Sequence, residues 1–396
     1  MKWSRMAALA LALLAALCIG LWAGGHPAKL PSFVRDAFIG GNAGLNVEAT
    51  EAIEDNYYRE VSPEQLTNSS LQGMVRGLRL RYDDRFSEYF SPETLAHFNE
   101  QLSGRFSGIG LAITEVDAGL RVSRVFKGSP ADRAGIAIGD TIVSVNGDSL
   151  AGTDSTAAAE RIKGPEGTKV TVGVKDGESG EVEEKRITRE EITLPVAVGK
   201  VERLAGGRKL GYVRLATFSE GAHALLRKAV EKVDREGAEG IVLDLRANGG
   251  GLLEEAVLTA SVLLPEDEVV VTTDSRTQGH AEYRTVGDNL PPQPTVVLID
   301  RNTASAAEIL AAALADDADA EIVGTRSFGK GVFQQEVDLS NGGAMKLTIG
   351  EYFTPDGTNL AGKGIHPDVE VSDDPRTERD EAKQRALGVL AAQAQE

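Results

Sequence analysis

The sequence is poor in the residues that make reactive or metal-binding centres easy to find. One cysteine occurs in 396 residues, Cys18, and it lies inside an apolar run near the N-terminus. That excludes an intrachain disulfide, a cysteine metal site and a thiol nucleophile in the folded part. The five histidines, His26, His97, His223, His280 and His366, are scattered. No pair of them stands at a ligand spacing such as HExxH, and none sits among catalytic neighbours, so a metal site and a His-dependent triad both read poorly. Basic charge is in deficit as well: 42 Lys and Arg face 60 Asp and Glu, a net charge of −18. Phosphate binding needs a basic stripe, and none is visible, which argues against a nucleic-acid partner.

Long hydrophobic runs are also scarce, and the one that exists is at the start. Lys2 and Arg5 precede an uncharged run from Met6 to Trp22, followed by the small residues Ala23, Gly24 and Gly25. This pattern predicts export, with residues 1–25 acting as a signal peptide or as an uncleaved membrane anchor. The run is slightly short for a spanning helix of roughly 20 residues. The expected location is therefore periplasmic, either released or held at the inner membrane.

What the chain does contain is a chemistry-bearing stretch from Val296 to Asp317. Val296–Ile299 is wholly apolar, the mark of a strand buried on both faces. Asp300, Arg301 and Asn302 break it, and from Ala304 an alanine-rich helix begins, with Glu308 near its front. Ser305 falls where strand becomes helix. By itself such a serine reads first as a helix cap. The same position would hold a hydroxyl on rigid elements, with the Ala306 N–H unpaired at the helix N-terminus. Downstream, Lys330 lies between Gly329 and Gly331 on a loop after the next predicted strand, Glu321–Val323. Glycines on both sides suit close backbone packing better than a solvated surface lysine.

Taken together, TASAAEIL around Ser305, GKGVFQ around Lys330 and DLRANGGGLL from Asp244 to Leu253 resemble the C-terminal processing peptidases, serine proteases with a Ser–Lys pair. The resemblance covers about Gly41 to Val371. It implies that Ser305 is the nucleophile and that the glycine run supplies half of an oxyanion hole, most directly Gly250, with Ala306 as the other half. The family usually has proline where Gly249 stands, so the choice among Gly249, Gly250 and Gly251 stays open. This chain also has Asn302-Thr303 and Ala307 where the family often carries Gly-Ser and a second serine.

Between the N-terminal part and this core, GSPADRAGIAIGDTIVSVNG (Gly128–Gly147) resembles a PDZ domain. In Gly108-Ile109-Gly110-Leu111 small residues leave backbone N–H groups able to bind a peptide's terminal carboxylate, and the strand from Leu111 offers its edge. Lys175–Glu191 reads as a charged hairpin with a solvated face. Residues 31–103 read as a helical N-terminal region, with cap-proline starts at Ser62-Pro63-Glu64 and Ser91-Pro92-Glu93. In the family this region supports homo-oligomers. The fold class expected is mixed α/β and multidomain: that helical region, an inserted PDZ domain over 104–191, and an α/β Ser–Lys protease core over 192–372. In the core, Gly207–Phe218 reads as a strand pair and Ala222–Asp234 as an amphipathic helix. Residues 373–396 read as a charged tail whose alanine-rich end is either a surface helix or frayed.

A lysine acts as a base only when neutral, and at its ordinary pKa of ~10.4 about one in 2,500 is neutral at pH 7. Burial favours the neutral form, and a carboxylate partner would undo that, so a neutral polar partner is needed. Gln334 meets the need and matches the family's third residue; Gln335 competes, but along a strand it should face the other way. The sequence thus predicts an exported serine endopeptidase without metal or cofactor. It would select substrates by exposed apolar C-termini, with an adaptor protein as a further partner. The alternative is a PDZ adaptor on a catalytically dead protease fold.

Overall fold

The computed structural model describes residues 41–394, apart from residues 205, 288, 375 and 378. The predicted export segment, with Cys18 and His26, and the first part of the N-terminal region lie outside the described residues. Among the described residues no helix is long and apolar enough to cross a membrane. The chain divides into two compact units: residues up to Ser91 with Glu336–Leu347, and Pro92–Gln335 with Thr348–Glu396.

The first unit carries helices α1 (Gly41–Asn56) and α2 (Pro63–Tyr82) and a short strand β1 (Glu88–Phe90). At the start of α2 the Ser62 hydroxyl accepts from the Gln65 N–H at 3.1 Å, and the Gln65 side chain accepts from the Ser62 N–H. Pro63 occupies the first helical position, where its missing N–H costs nothing. Of the apolar residues spaced along α2, Val75 is buried while Met74 is exposed. The region is not wholly helical: β1 pairs antiparallel with residues 344–346. That partner lies more than 250 residues away in sequence, which no local pattern reveals.

The second unit opens with α3 (Pro92–Ser103) and then builds an antiparallel sheet. The elements are β2 (Arg105–Gly108), β3 (Leu111–Val116), β4 (Gly119–Val125), α4 (Pro130–Arg133), β5 (Thr141–Val145), β6 (Asp148–Ser149), α5 (Ser155–Ile162), β7 (Lys169–Lys175), β8 (Val182–Thr188) and β9 (Glu190–Thr193). Strand order is β3-β4-β5-β7-β8, with β6 beside β5, and β2 pairs with β9 to bring the two ends of the segment together. Ile109, Leu120, Ile142, Leu150 and Val172 fill the core. Residues 175–186, from the end of β7 into β8, are largely exposed, but the charge that follows is not. Arg189 is buried, donating to Ile162 O at 2.8 Å, Arg161 O at 3.2 Å and Thr168 Oγ1 at 3.0 Å. It therefore caps the C-terminal carbonyls of α5 instead of facing solvent.

The rest of the unit is an α/β layer structure. It comprises β10 (Ala197–Arg203), β11 (Lys209–Leu215), α6 (Ala222–Arg235), β12 (Ile241–Asp244), α7 (Leu253–Leu263), β13 (Val269–Ser275), β14 (Gly279–Arg284), β15 (Thr295–Ile299), α8 (Ala306–Ala318), β16 (Glu321–Gly324), β17 (Val332–Asp338), β18 (Ala344–Phe353), β19 (Val369–Glu370) and α9 (Glu381–Gln393). Its sheet has the order β10-β11-β12-β15-β16-β19, parallel throughout except for β10. Gly207–Phe218 is thus one strand, not two; its antiparallel partner is β10.

Alternation decides the layers. Ile241, Leu243, Val297 and Ile299 pack with helices α6, α7 and α8, while Val242, Val296, Leu298 and Val323 pack with Ala382, Ala386, Leu387 and Leu390 of α9. Successive strand side chains point to opposite faces, so a parallel strand buried on both faces needs helices on both. The C-terminal segment supplies the second face: its alanine-rich end is a helix, and that helix is packed on the sheet, neither frayed nor merely superficial. It is tied down by Arg246, which pairs with Asp244 at 2.9 Å, Asp373 at 3.1 Å and Asp380 at 2.8 Å.

Candidate active site

Neighbouring parallel strands β12, β15 and β16 all end on the same edge, and the loops that follow them carry the glycine run, Ser305 and Lys330. Ligand sites of open α/β sheets form at these carboxyl ends.

The loop to Ser305 is held by Thr303, which is fully buried. Its hydroxyl accepts from the Asp300 N–H at 2.9 Å and donates to Leu245 O at 2.9 Å, tying the loop to the end of β12. Phe328 N–H donates to Thr303 O, which brings in the loop after β16. Ser305 then adopts φ 58°, ψ −122°, a backbone region that L residues rarely enter. Such strain, of order 1–3 kcal/mol, persists only where surrounding structure enforces it, and it concentrates at functional sites. Ala306 opens α8, so its N–H belongs to the first turn, which the helix itself leaves unpaired.

The residue that joins the loops is Glu308, fully buried. Its Oε2 accepts from the Ser305 N–H at 2.9 Å and the Lys330 N–H at 3.0 Å. Its Oε1 accepts from the Gly329 N–H at 2.7 Å and the Ser327 hydroxyl at 2.5 Å. One carboxylate oxygen thus fixes both Ser305 and Lys330 through their backbones. Sequence reasoning saw Glu308 only as a helix-front residue. The signal was present: Ser305-x-x-Glu308 is a capping-box spacing, and a glutamate in an alanine-rich, otherwise apolar helix asks for buried donors.

Lys330 Nζ donates to Gln334 Oε1 at 2.7 Å, and Gln334 Nε2 donates to Thr348 Oγ1 at 3.3 Å. Gln335, one residue on along β17, instead accepts from Gln278 at 3.3 Å. Strand alternation therefore gives the lysine Gln334 and turns Gln335 elsewhere. Asn359 Nδ2 donates to Gly331 O and Gly362 N–H to Gly329 O, so the glycines around the lysine are bonded into residues 359–362.

The glycine run comes up beside the serine. Gly250 has φ 98°, and a Cβ there would lie 2.9 Å from Ser305 Cβ and 3.0 Å from Ala306 N, so only glycine fits. Its N–H, however, donates to Asn248 Oδ1 at 2.9 Å, and its carbonyl accepts from Phe218 N–H and the Thr217 hydroxyl. An oxyanion contact from Gly250 thus requires the 249–250 peptide to turn away from Asn248. Behind the run, buried Glu255 accepts from Gly221 N–H at 2.7 Å, His223 N–H at 3.0 Å and the His223 ring at 2.9 Å. This gives His223 a carboxylate partner that the sequence did not suggest, in a role that pins the 219–223 turn. Among the described residues no group of three His, Cys, Asp or Glu could hold a metal.

A groove of about 460 Å³ runs between Gly108–Leu111 and α5. Ile109 O accepts from Ala131 N–H, and Gly110 O from Phe126 N–H and the Ser129 hydroxyl. In a trans peptide the N–H points opposite to the carbonyl, so the Gly110 and Leu111 N–H groups are turned to the groove side. At Gly110, φ 84°, a Cβ would lie 2.3 Å from Ser129 Cβ.

Comparison with known proteins agrees with this architecture. The family model for peptidase family S41 matches residues 209–371, and that for the PDZ domain matches residues 97–175. The carboxy-terminal processing proteases CtpA and CtpB of Bacillus subtilis (strain 168) are each 32% identical over 324 residues, 82% of this chain. The aligned part spans 68% of the length of CtpA and 66% of that of CtpB. A solved structure, the photosystem II D1 C-terminal processing protease, is 30% identical and covers 87% of this chain and 96% of its own, with a TM-score of 0.48. The chain belongs to the carboxy-terminal processing proteases of peptidase family S41, serine-type peptidases, and carries a PDZ domain.

Proposed function

We propose that the protein is an exported endopeptidase that cleaves peptide bonds with a Ser305–Lys330–Gln334 centre and selects substrates by their C-termini. The supporting observation is the pairing of Lys330 Nζ with the neutral side chain of Gln334, while one oxygen of Glu308 holds the backbones of Ser305 and Lys330. A neutral amide accepts from the lysine without supplying the negative charge that would favour the ammonium form.

In the reaction, neutral Lys330 takes the Ser305 hydroxyl proton as Oγ bonds to the scissile carbonyl carbon. The oxyanion that forms is held by the Ala306 N–H and by a second N–H from Gly249–Gly251. Collapse breaks the C–N bond, the Lys330 ammonium returns its proton to the departing amine, and the acyl group stays on Ser305. Water then attacks the ester with Lys330 again as base, releasing the new C-terminus and restoring the hydroxyl.

The PDZ groove would take an apolar C-terminal residue, its carboxylate on the N–H groups of Gly110 and Leu111 within the 108–111 turn. Lys2, Arg5 and the run after them support export to the periplasm, released or anchored. The test of the centre is cleavage of an unfolded protein, with sites mapped, by wild type, Ser305→Ala, Lys330→Ala and Lys330→Arg. All three variants should lose at least nine-tenths of turnover while staying folded, the last because guanidinium does not deprotonate in proteins. Substantial turnover in any of them would refute the assignment. A reporter fused after Lys29 tests export: it should fold outside the cytoplasm.

A further inference from the structure

The groove has a wall that does not belong to its own sheet. Helix α3, which precedes the PDZ sheet in sequence, contributes His97 and Glu100 to the lining. Across from them stands Lys163, directly after the last turn of α5 and beside the turn that begins the carboxylate loop. A Cβ built on Gly108 would lie 4.0 Å from Lys163 Cγ. Arg189 braces this end of α5 by donating to the carbonyls of Arg161 and Ile162, so the position of Lys163 is fixed from below. Lys163 Nζ is paired with Glu100 Oε2 at 2.7 Å and, less closely, with Glu160 Oε1 at 3.4 Å on its own helix. Both Lys163 and Glu100 are about 30% exposed.

The charges are arranged in an informative way. The 108–111 turn and Lys163 line the same groove, and the chain itself supplies a carboxylate there, that of Glu100. Glu100 reaches only the lysine, whereas a peptide's terminal carboxylate would gain the loop N–H groups as well. A partly exposed ion pair is held weakly, so a ligand that adds charge-assisted backbone hydrogen bonds can displace it. Phe106, Leu111 and Ile113, half-buried in the groove wall, then offer an apolar surface to the last side chain.

We propose that Glu100, on the helix before the PDZ sheet, is the resident counter-ion of Lys163 and is displaced when a peptide C-terminus binds in the groove. The proposal rests on the reading that this groove takes peptide C-termini. Glu100 thereby sets a threshold: weak or amidated peptides fail to open the pair, and a free carboxylate opens it.

The test uses the full chain carrying Ser305→Ala, so that nothing is cleaved. Fluorescence anisotropy measures binding of a labelled decapeptide with an apolar last residue, as free acid and as amide. Glu100→Gln, nearly isosteric, should tighten the acid by about three- to tenfold, the scale of one partly exposed ion pair, and leave the amide unchanged. Lys163→Met should weaken the acid towards the amide value, and in that background Glu100→Gln should have no effect. Acid binding that is preferred over amide but indifferent to Glu100→Gln overturns the counter-ion role and leaves C-terminal recognition standing. An equal gain for acid and amide, or a gain that survives Lys163→Met, overturns it too. If acid and amide bind alike in every variant, the underlying reading of the groove fails and the proposal goes with it.

Discussion

Glu308 is the side chain whose loss should be felt furthest. It neutralises four donors at once, from Ser305, Ser327, Gly329 and Lys330. Glu308→Gln keeps the volume but turns one oxygen into an NH2 group facing donors. Unpaired buried polar groups cost about 1–3 kcal/mol each, and 1.4 kcal/mol in a barrier is tenfold in rate. Glu308→Gln should therefore lower kcat by about 10- to 100-fold with little change in KM, since the residue positions the centre without touching substrate. A rise in KM at constant kcat would contradict that role. The two glutamines give a sharper contrast. Gln334→Ala removes the partner of Lys330 and should reduce kcat by at least tenfold, whereas Gln335→Ala, whose partner is Gln278, should stay within about twofold, like an ordinary surface change. Equal effects in steady-state assays would mean that the lysine does not depend on Gln334.

Helix α8 shows how an element built for its front end carries a cost at its back. Its N-terminus must present Ser305 and Ala306, and its alanines let it lie close against α7 and the sheet. Its last turn has Asp316 and Asp317 and no basic residue, so carboxylates sit at the negative end of the helix dipole. Burial, with Glu268 and Asp316 nearby, pushes Asp317 up to about 6. Because the folded-state value lies above the unfolded one, ionised Asp317 destabilises the fold at pH above 6, and the penalty is relieved as pH falls through 6. Asp317→Asn should accordingly raise Tm at pH 8, and the difference from wild type should shrink towards pH 5. A difference that stays constant between pH 5 and 8 would show that the gain has another source.

At the scale of the whole chain, the segments that bound the PDZ sheet are bonded to the turn that supports the glycine run. Glu220 N–H donates to Leu102 O and Leu194 N–H to Gly104 O. Phe218 in turn donates to Gly250 O and accepts from Leu252 N–H. These bonds give a shift of α3 two short routes to the glycines beside Ser305. The expected outcome is that a short peptide with an apolar C-terminal residue and a free carboxylate stimulates cleavage of a second, unrelated substrate. Its amidated form should stimulate far less. Plain competition by the acid peptide at every concentration would mean that the PDZ domain only recruits.

Some of this was settled by the sequence alone. The strand-to-helix placement of Ser305, the glycines around Lys330, the PDZ turn and the amphipathic helix α6 all follow from local periodicity and backbone chemistry, which act over a few residues. So does the preference for Gln334 over Gln335, since a period of two belongs to any strand. What tertiary structure decided depends on partners distant in the chain. The C-terminal end, readable as a surface helix or a frayed tail, became the packed helix α9 because Val242, Val296 and Leu298 point to a face that some helix must cover, and periodicity does not say which. Arg189 became a buried cap because α5 ends beneath it, and Asn248 came to hold the Gly250 N–H because its own amide is fixed to Leu215 O on β11, a distant partner. Glu308 shows the division most plainly: its spacing from Ser305 is visible in the sequence. That the same carboxylate also receives Ser327, Gly329 and Lys330 is fixed only when β15 and β16 lie side by side, since a buried carboxylate takes whatever donors the neighbouring strand delivers.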